Sequence, residues 1–238
     1  MTRKVSFNAN QLKLLAIVAM LVDHIAWTFV PTESVTAFLM HTFGRLTAPI
    51  MCFFIAEGYC HTRNLGKYVM RLAVFSVISS WAYSFYESGG TMQFYGFGMI
   101  YTLFLGLLAI HVWNQREWLT GIRILLIGIL CICSLLGDWP MVGVLWPLFF
   151  YIYRDDAKKK FTSFSIVGAL EASTFVVMFW GNWGMVLAML CQFAVLLAVP
   201  ILKCYNGELG KHRGMKWLFY IFYPLHLIIL GLISLMFV

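Results

Sequence analysis

Apolar stretches about as long as a bilayer is thick recur from one end of this 238-residue chain to the other. A helix needs roughly 20 such residues to cross the hydrocarbon core. By that ruler nine segments qualify, at 12–30, 43–60, 67–86, 94–113, 119–137, 139–153, 162–180, 183–202 and 215–237. The sixth is short and carries Pro140 and Pro147, so a broken or re-entrant segment, with eight spans in all, is the alternative there. Hydrophobic residues make up 61% of the chain and charged residues 11%, with a mean hydropathy of +0.82. A soluble domain is usually ~45–50% apolar. The expectation is an all-α, polytopic membrane bundle of about nine transmembrane helices. Without repeats, linkers or an interspersed soluble region, residues 1–238 read as one domain.

Orientation follows from the loops that hold lysine and arginine, because cytoplasmic loops carry the excess. Arg3 and Lys4, the stretch HTRNLGKYVMR from His61 to Arg71, RDDAKKK from Arg154 to Lys160, and KCYNGELGKHRGMK from Lys203 to Lys216 are basic. They alternate with loops bearing Glu33, Glu87, Asp138 and Asn182. All nine spans then agree on a cytoplasmic amino terminus and an outer carboxyl terminus, in the cell membrane. The net charge of +7 belongs to this pattern and to anionic lipid, so no nucleic-acid partner is called for. The first apolar run lacks a small-residue cleavage site and reads as a retained helix. The six cysteines are scattered through apolar stretches without metal-ligand spacing, and no metal site is expected. Trp27, Trp81, Trp113, Trp118 and Trp139 fall near span ends, as interfacial aromatics do.

Three ionisable residues stand inside the first span, Lys13, Asp23 and His24 in NQLKLLAIVAMLVDHIAWTFV. A charge at the bilayer centre costs at least ~2.5–3.5 kcal/mol, so such residues face protein or a wet cavity and mark functional paths. Lys13 and His24 are eleven residues apart, about 20° off one helix face and ~16 Å along it. Lys13 lies toward the cytoplasm, where a snorkelling anchor would look the same. Asp23 and His24 lie past the midplane toward the outer side.

A second stretch, GRLTAPIMCFFIAEGYCHTRNLGKYVMR, places Glu57 and His61 one turn apart, where the carboxylate can orient the imidazole. Arg45 opens this span at its outer end, while Arg63, Lys67 and Arg71 crowd the cytoplasmic end. The last span carries Tyr220, Tyr223, Pro224 and His226, an aromatic kink that can line a cavity.

A histidine beside an aspartate in a membrane cavity suits general-base work, taking a proton from an amine or hydroxyl as it attacks an activated acyl group. A coenzyme A thioester would bring its phosphates to the basic inner mouth. No G-x-S-x-G, phosphate loop or HExxH is present.

The segments LKLLAIVAMLVDHI, GRLTAPIMCFFIAEGYCHTRN, and YNGELG followed by KWLFYIFYPLHL resemble the TraX family, named for a conjugative pilin N-acetyltransferase and related to transmembrane acetyltransferases. The resemblance covers nearly the whole chain. It implies acetyl transfer from acetyl-CoA, as co-substrate, to a peptide, pilin or glycan acceptor near the outer side. His24 would be the base with Asp23, and Glu57 and His61 would stand among the catalytic residues. Lys13, Arg45, Arg63, Arg71, Tyr223 and His226 would serve the cofactor. The stretches ISSWAYSFYESG and GFGMIYTLFLG depart from the family pattern, which concerns the acceptor more than the chemistry. The competing reading is a proton-coupled transporter, which also needs intramembrane Asp, His and Glu. Transporters often carry internal repeats, and none is found here.

Overall fold

The computed structural model describes residues 6–91, 93–211 and 214–236. Arg3, Lys4, His212 and Arg213 of the basic flanks lie outside them. Among the described residues the chain is helical, with two isolated bridges, Phe7 to Tyr205 and Phe97 to Gly137, in place of any strand. The chain forms two compact units, Met1–Met51 with Gly168–Phe222, and Cys52–Val167 with Tyr223–Val238.

In the first unit, α1 (Ala9–Phe29) begins at a reciprocal cap. Asn8 Oδ1 accepts the Gln11 N–H and Gln11 Oε1 accepts the Asn8 N–H, both at 3.0 Å, satisfying two otherwise orphaned donors. The N–H groups of Ala9 and Asn10 donate to the carbonyls of Glu208 and Leu209, so the start of α1 is tied to the segment before the last helix. Ser34 caps α2 (Val35–Gly44) by accepting the Ala37 N–H at 3.1 Å. The helix resumes as α3 (Thr47–His61). Proline lacks the N–H for an i−4 bond and its ring crowds that carbonyl. For Pro49 that residue is Arg45, and the break between α2 and α3 falls there.

The second expected span, 43–60, therefore begins earlier. The continuous apolar stretch is Val35–His61, because Ser34 starts a helix in what reads as a loop. Among the described residues it is one of five helical stretches long and apolar enough to cross a membrane, with Ala9–Phe29, Ala157–Met178, Trp183–Lys203 and Trp217–Ser234.

In the second unit, α4 (Leu65–Glu87) is capped by Asn64, which accepts the Lys67 N–H. α5 (Met99–Trp113) packs against α4, α6 (Thr120–Cys133) and α7 (Val142–Ile152). α7 has 11 residues and rises about 16 Å, short of the ~30 Å hydrocarbon core. Its start is delayed by the turn through Pro140, where Trp139 and Met141 take positive φ of 55° and 59°. It is a core helix: Trp146 and Phe150 are buried, and Trp146 donates its indole N–H to the Phe164 carbonyl at 3.2 Å. α8 (Ala157–Met178), α9 (Trp183–Met189), α10 (Ala198–Lys203) and α11 (Met215–Ser234) complete the chain, with a tight 3₁₀ stretch over Leu190–Leu197 between α9 and α10.

Glycine sets the distance between α5 and α7. A Cβ on Gly106 would lie 2.6 Å from the Gly143 carbonyl oxygen and 2.9 Å from the Pro147 ring, whereas one on Gly128 of α6 would meet nothing within 4 Å. Gly106→Ala should destabilise the protein by about 1–3 kcal/mol through overpacking. Gly128→Ala should leave stability unchanged or raise it by up to ~1 kcal/mol through helix propensity. Melting curves of the two variants in detergent check this; equal melting temperatures would contradict the glycine contact.

Candidate active site

Asp23 and His24 lie on α1 six and five residues before its end at Phe29. Neighbouring helical residues point about 100° apart, so their side chains leave α1 in different directions. Asp23 meets α2. Arg45 Nη2 donates to Asp23 Oδ1 at 2.8 Å and Oδ2 at 2.6 Å, and His41 Nδ1 is 2.9 Å from Oδ1. Arg45 Nη1 donates to Gln192 Oε1 at 3.1 Å, bringing in the stretch Leu190–Leu197. His41 and Arg45 are 2% and 7% exposed. They stand one turn apart and so share a face of α2. Gly44 permits the approach: a Cβ there would fall 2.5 Å from Asp23 Cβ and 2.6 Å from its Cγ.

The network fixes a tautomer. An ionised Asp23 paired with Arg45 only accepts, so His41 Nδ1 carries a hydrogen and donates it; in the neutral imidazole Nε2 is then the acceptor nitrogen. That Nε2 is buried without a hydrogen-bond partner, a condition that costs about 1–3 kcal/mol. The ring lies 4.3 Å from that of Trp27, tilted by 43°. Trp27, expected as an interfacial aromatic, thus also walls the histidine.

His24 takes the same tautomer by another route. Its Nδ1 donates to the Met20 carbonyl one turn back, at 2.8 Å. The side-chain bond expected between Asp23 and His24 is made with His41 instead, for the directional reason given above. Lys13 stands half-buried on the same uninterrupted helix, three turns toward its start.

The remaining expected residues belong to the second unit. His61 is exposed, and its Nδ1 donates to the Glu57 backbone carbonyl at 2.8 Å, while the nearest Glu57 carboxylate oxygen is 4.0 Å away. Backbone rather than carboxylate holds this imidazole. Arg63 is exposed; Arg71 is half-buried with its guanidinium 5.2 Å from the Tyr68 ring centroid. The end of α3 joins the ends of α5 and α7 through Asn114, which donates to Tyr59 Oη at 3.0 Å and accepts from Tyr151 Oη at 2.9 Å. Arg154 Nη1 lies 3.4 Å from Cys60 Sγ, and Lys160 Nζ donates to the Arg154 carbonyl. The turn 61–65 and the basic segment 153–160, with Lys158 to Lys160 at the start of α8, thereby gather on one end of this unit. At the start of α8 the Lys159 backbone N–H donates to Asp156, and with the Lys159 ammonium nearby it holds that carboxyl below its usual range.

Tyr223 is buried and accepts the backbone N–H of Met99 at 2.9 Å, capping the start of α5 where Gly98 has no side chain to do so. A Cβ on Gly98 would lie 2.5 Å from that hydroxyl. His226 is buried with its ring 5.8 Å from that of Tyr223.

His41 escapes a reading of the sequence that places residues 31–42 in a loop, and Gln192, inside the expected span 183–202, is not singled out. The available signal was the spacing of His41 to Arg45 behind a Ser34 cap. The profile of the TraX protein family matches residues 8–234. The chain belongs to the TraX family. A TraX-family assignment agrees with the similarity to the probable fimbrial assembly protein FimC, serogroup H1, of Dichelobacter nodosus. The two are 33% identical over 242 residues, 97% of each chain. No solved structure matches the chain.

In this TraX-family protein, Asp23→Asn or Arg45→Gln alone should cost about 3–5 kcal/mol, because each leaves a buried partner uncompensated. The double variant should cost less than the two together by roughly 0.5–3 kcal/mol. Strict additivity in a double-mutant cycle, read by unfolding in detergent, would contradict the direct pairing.

Proposed function

We propose that this protein is a membrane acyltransferase that moves an acetyl group from cytoplasmic acetyl-CoA to an amine or hydroxyl on an acceptor at the outer side. The observation that carries the reading is the Asp23 cluster. Two histidines with acceptor Nε2 nitrogens, His24 and His41, flank a carboxylate held on an apolar helix. Imidazole nitrogens able to take a proton, carried on membrane helices, are what an acyl transfer to an N–H or O–H group requires. Membership in the TraX family supports it. The similarity to a protein named for fimbrial assembly favours a pilus subunit over a glycan as acceptor.

In this reading about nine spans cross the cell membrane with the amino terminus inside, and each basic loop segment, 61–71 and 154–160 among them, faces the cytoplasm. Within the second unit Arg63 and Arg71 meet the phosphates of the cofactor, Arg63 being exposed at the surface. The acyl end reaches His24, and the acceptor arrives from the outer side, where Asp23 lies about 9 Å below the end of α1. Arg45, engaged by Asp23 and Gln192, holds the carboxylate rather than a phosphate. Glu57 and His61 lie beside the basic turns and would act on cofactor entry. Tyr223 and His226 shape the start of α5.

Membranes carrying the protein, given acetyl-labelled acetyl-CoA and purified fimbrial subunit, should move label to the subunit. His24→Ala should lower that transfer by about 10²-fold, the scale of a lost positioning contact at the reacting end, while the variant still inserts and binds coenzyme A. Undiminished transfer by His24→Ala would sink the assignment of the reacting end to α1.

A further inference from the structure

We infer that His41, rather than His24, is the general base of this site. This rests on the acyltransferase reading and adds a catalytic residue to it. Three observations within the first unit converge. His41 donates Nδ1–H to Asp23 at 2.9 Å, the arrangement in which a carboxylate fixes the tautomer and steadies the imidazolium formed on proton uptake. Asp23 is itself locked by two bonds from Arg45, so the orienting group does not wander. The other ring nitrogen, Nε2, is buried and has no hydrogen-bond partner. A histidine serving only to join α1 to α2 would do so through Nδ1 and gain nothing by burying a bare acceptor on its far side. A substrate N–H or O–H is the partner that nitrogen is built to receive. The Nδ1 of His24 is held instead by the neutral backbone carbonyl of Met20.

The step balances without another reactant. The acceptor nitrogen or oxygen forms a bond to the thioester carbonyl carbon, and the carbon–sulfur bond breaks with its electron pair going to sulfur. The acceptor's proton passes to His41 Nε2 and from there to the sulfur, releasing coenzyme A as the thiol and His41 as the neutral imidazole. His24 then positions the thioester on the reacting side of α1. The charged and titratable groups around His41 are Asp23 and His24 on α1, Arg45 on α2, and Cys191 beside Gln192. Of these, only His24 is a second imidazole, and the test must separate the two.

His41→Asn is the discriminating variant, because the Asn amide can replace Nδ1–H toward Asp23 while removing Nε2. With labelled acetyl-CoA and purified fimbrial subunit, His41→Asn should lose about 10²–10⁴-fold in kcat with coenzyme A binding unchanged. The wild-type rate should fall as pH drops and the base becomes protonated. The acidic limb of that profile should vanish in the residual activity of His41→Asn and persist in His24→Ala. Persistence of the limb in His41→Asn, or a kcat within threefold of wild type, overturns the assignment while leaving the acyltransferase reading intact. Wild-type protein that binds coenzyme A but transfers label to no acceptor overturns both.

Discussion

One carboxylate organises the first unit. Asp23 carries a charge on a helix whose neighbours are Val22, Ile25 and Ala26, and a charge in hydrocarbon is tolerated only with close partners. Arg45 and His41 supply them from α2, and each requirement of that contact leaves a trace in the sequence. The helices must nearly touch, so position 44 has no side chain. The arginine must stand at the end of its helix, and Pro49 breaks the helix there. The second arm of the guanidinium needs an acceptor, and Gln192 provides it from a tight 3₁₀ stretch.

The second unit is held by different means. α5 and α7 approach through Gly106 and Gly143, the small-residue contact common among membrane helices, and Trp146, Phe150 and Phe164 stack around the resulting core. Polar side chains there stitch helix ends: Asn114 between two tyrosines, Tyr223 on the first N–H of α5, and Arg123 on the Trp113 carbonyl. These are short neutral bonds or bonds to backbone, whereas the first unit concentrates a full ion pair in its interior. That asymmetry is why the proposed chemistry is assigned to the first unit.

The apolar runs made the helical class legible, and the cost of burying charge singled out Asp23, His24 and Arg45 before any geometry was known. Their mutual arrangement was less accessible. Asp23 and His24 are neighbours in sequence, which invites pairing, yet the helical rotation sends them apart and the carboxylate finds a histidine eighteen residues on. His41 was hidden because PTESVTAFLMH looks like a polar loop running into a span. The Ser34 cap that starts a helix there is a single hydroxyl. α7 was ambiguous for the opposite reason: a fully apolar helix of 11 residues has the composition of a span without its length. Tyr223 and His226 stood out by composition, but whether an aromatic lines a cavity or caps a neighbouring helix depends on what packs against it.

The partners of Asp23 lie within the next 22 residues of the chain, on the helix that follows directly. This bears on how the protein enters the bilayer. As α1 leaves the ribosome its carboxylate has no counter-ion, and the helix alone is a poor candidate for release into lipid. Once α2 emerges, running back along α1 with Arg45 opposite Asp23, the pair is electrically neutral and its polar atoms are turned inward. The two helices are therefore suited to partition as a closed hairpin, and the residues of the Asp23 cluster are the same ones that favour the first insertion event.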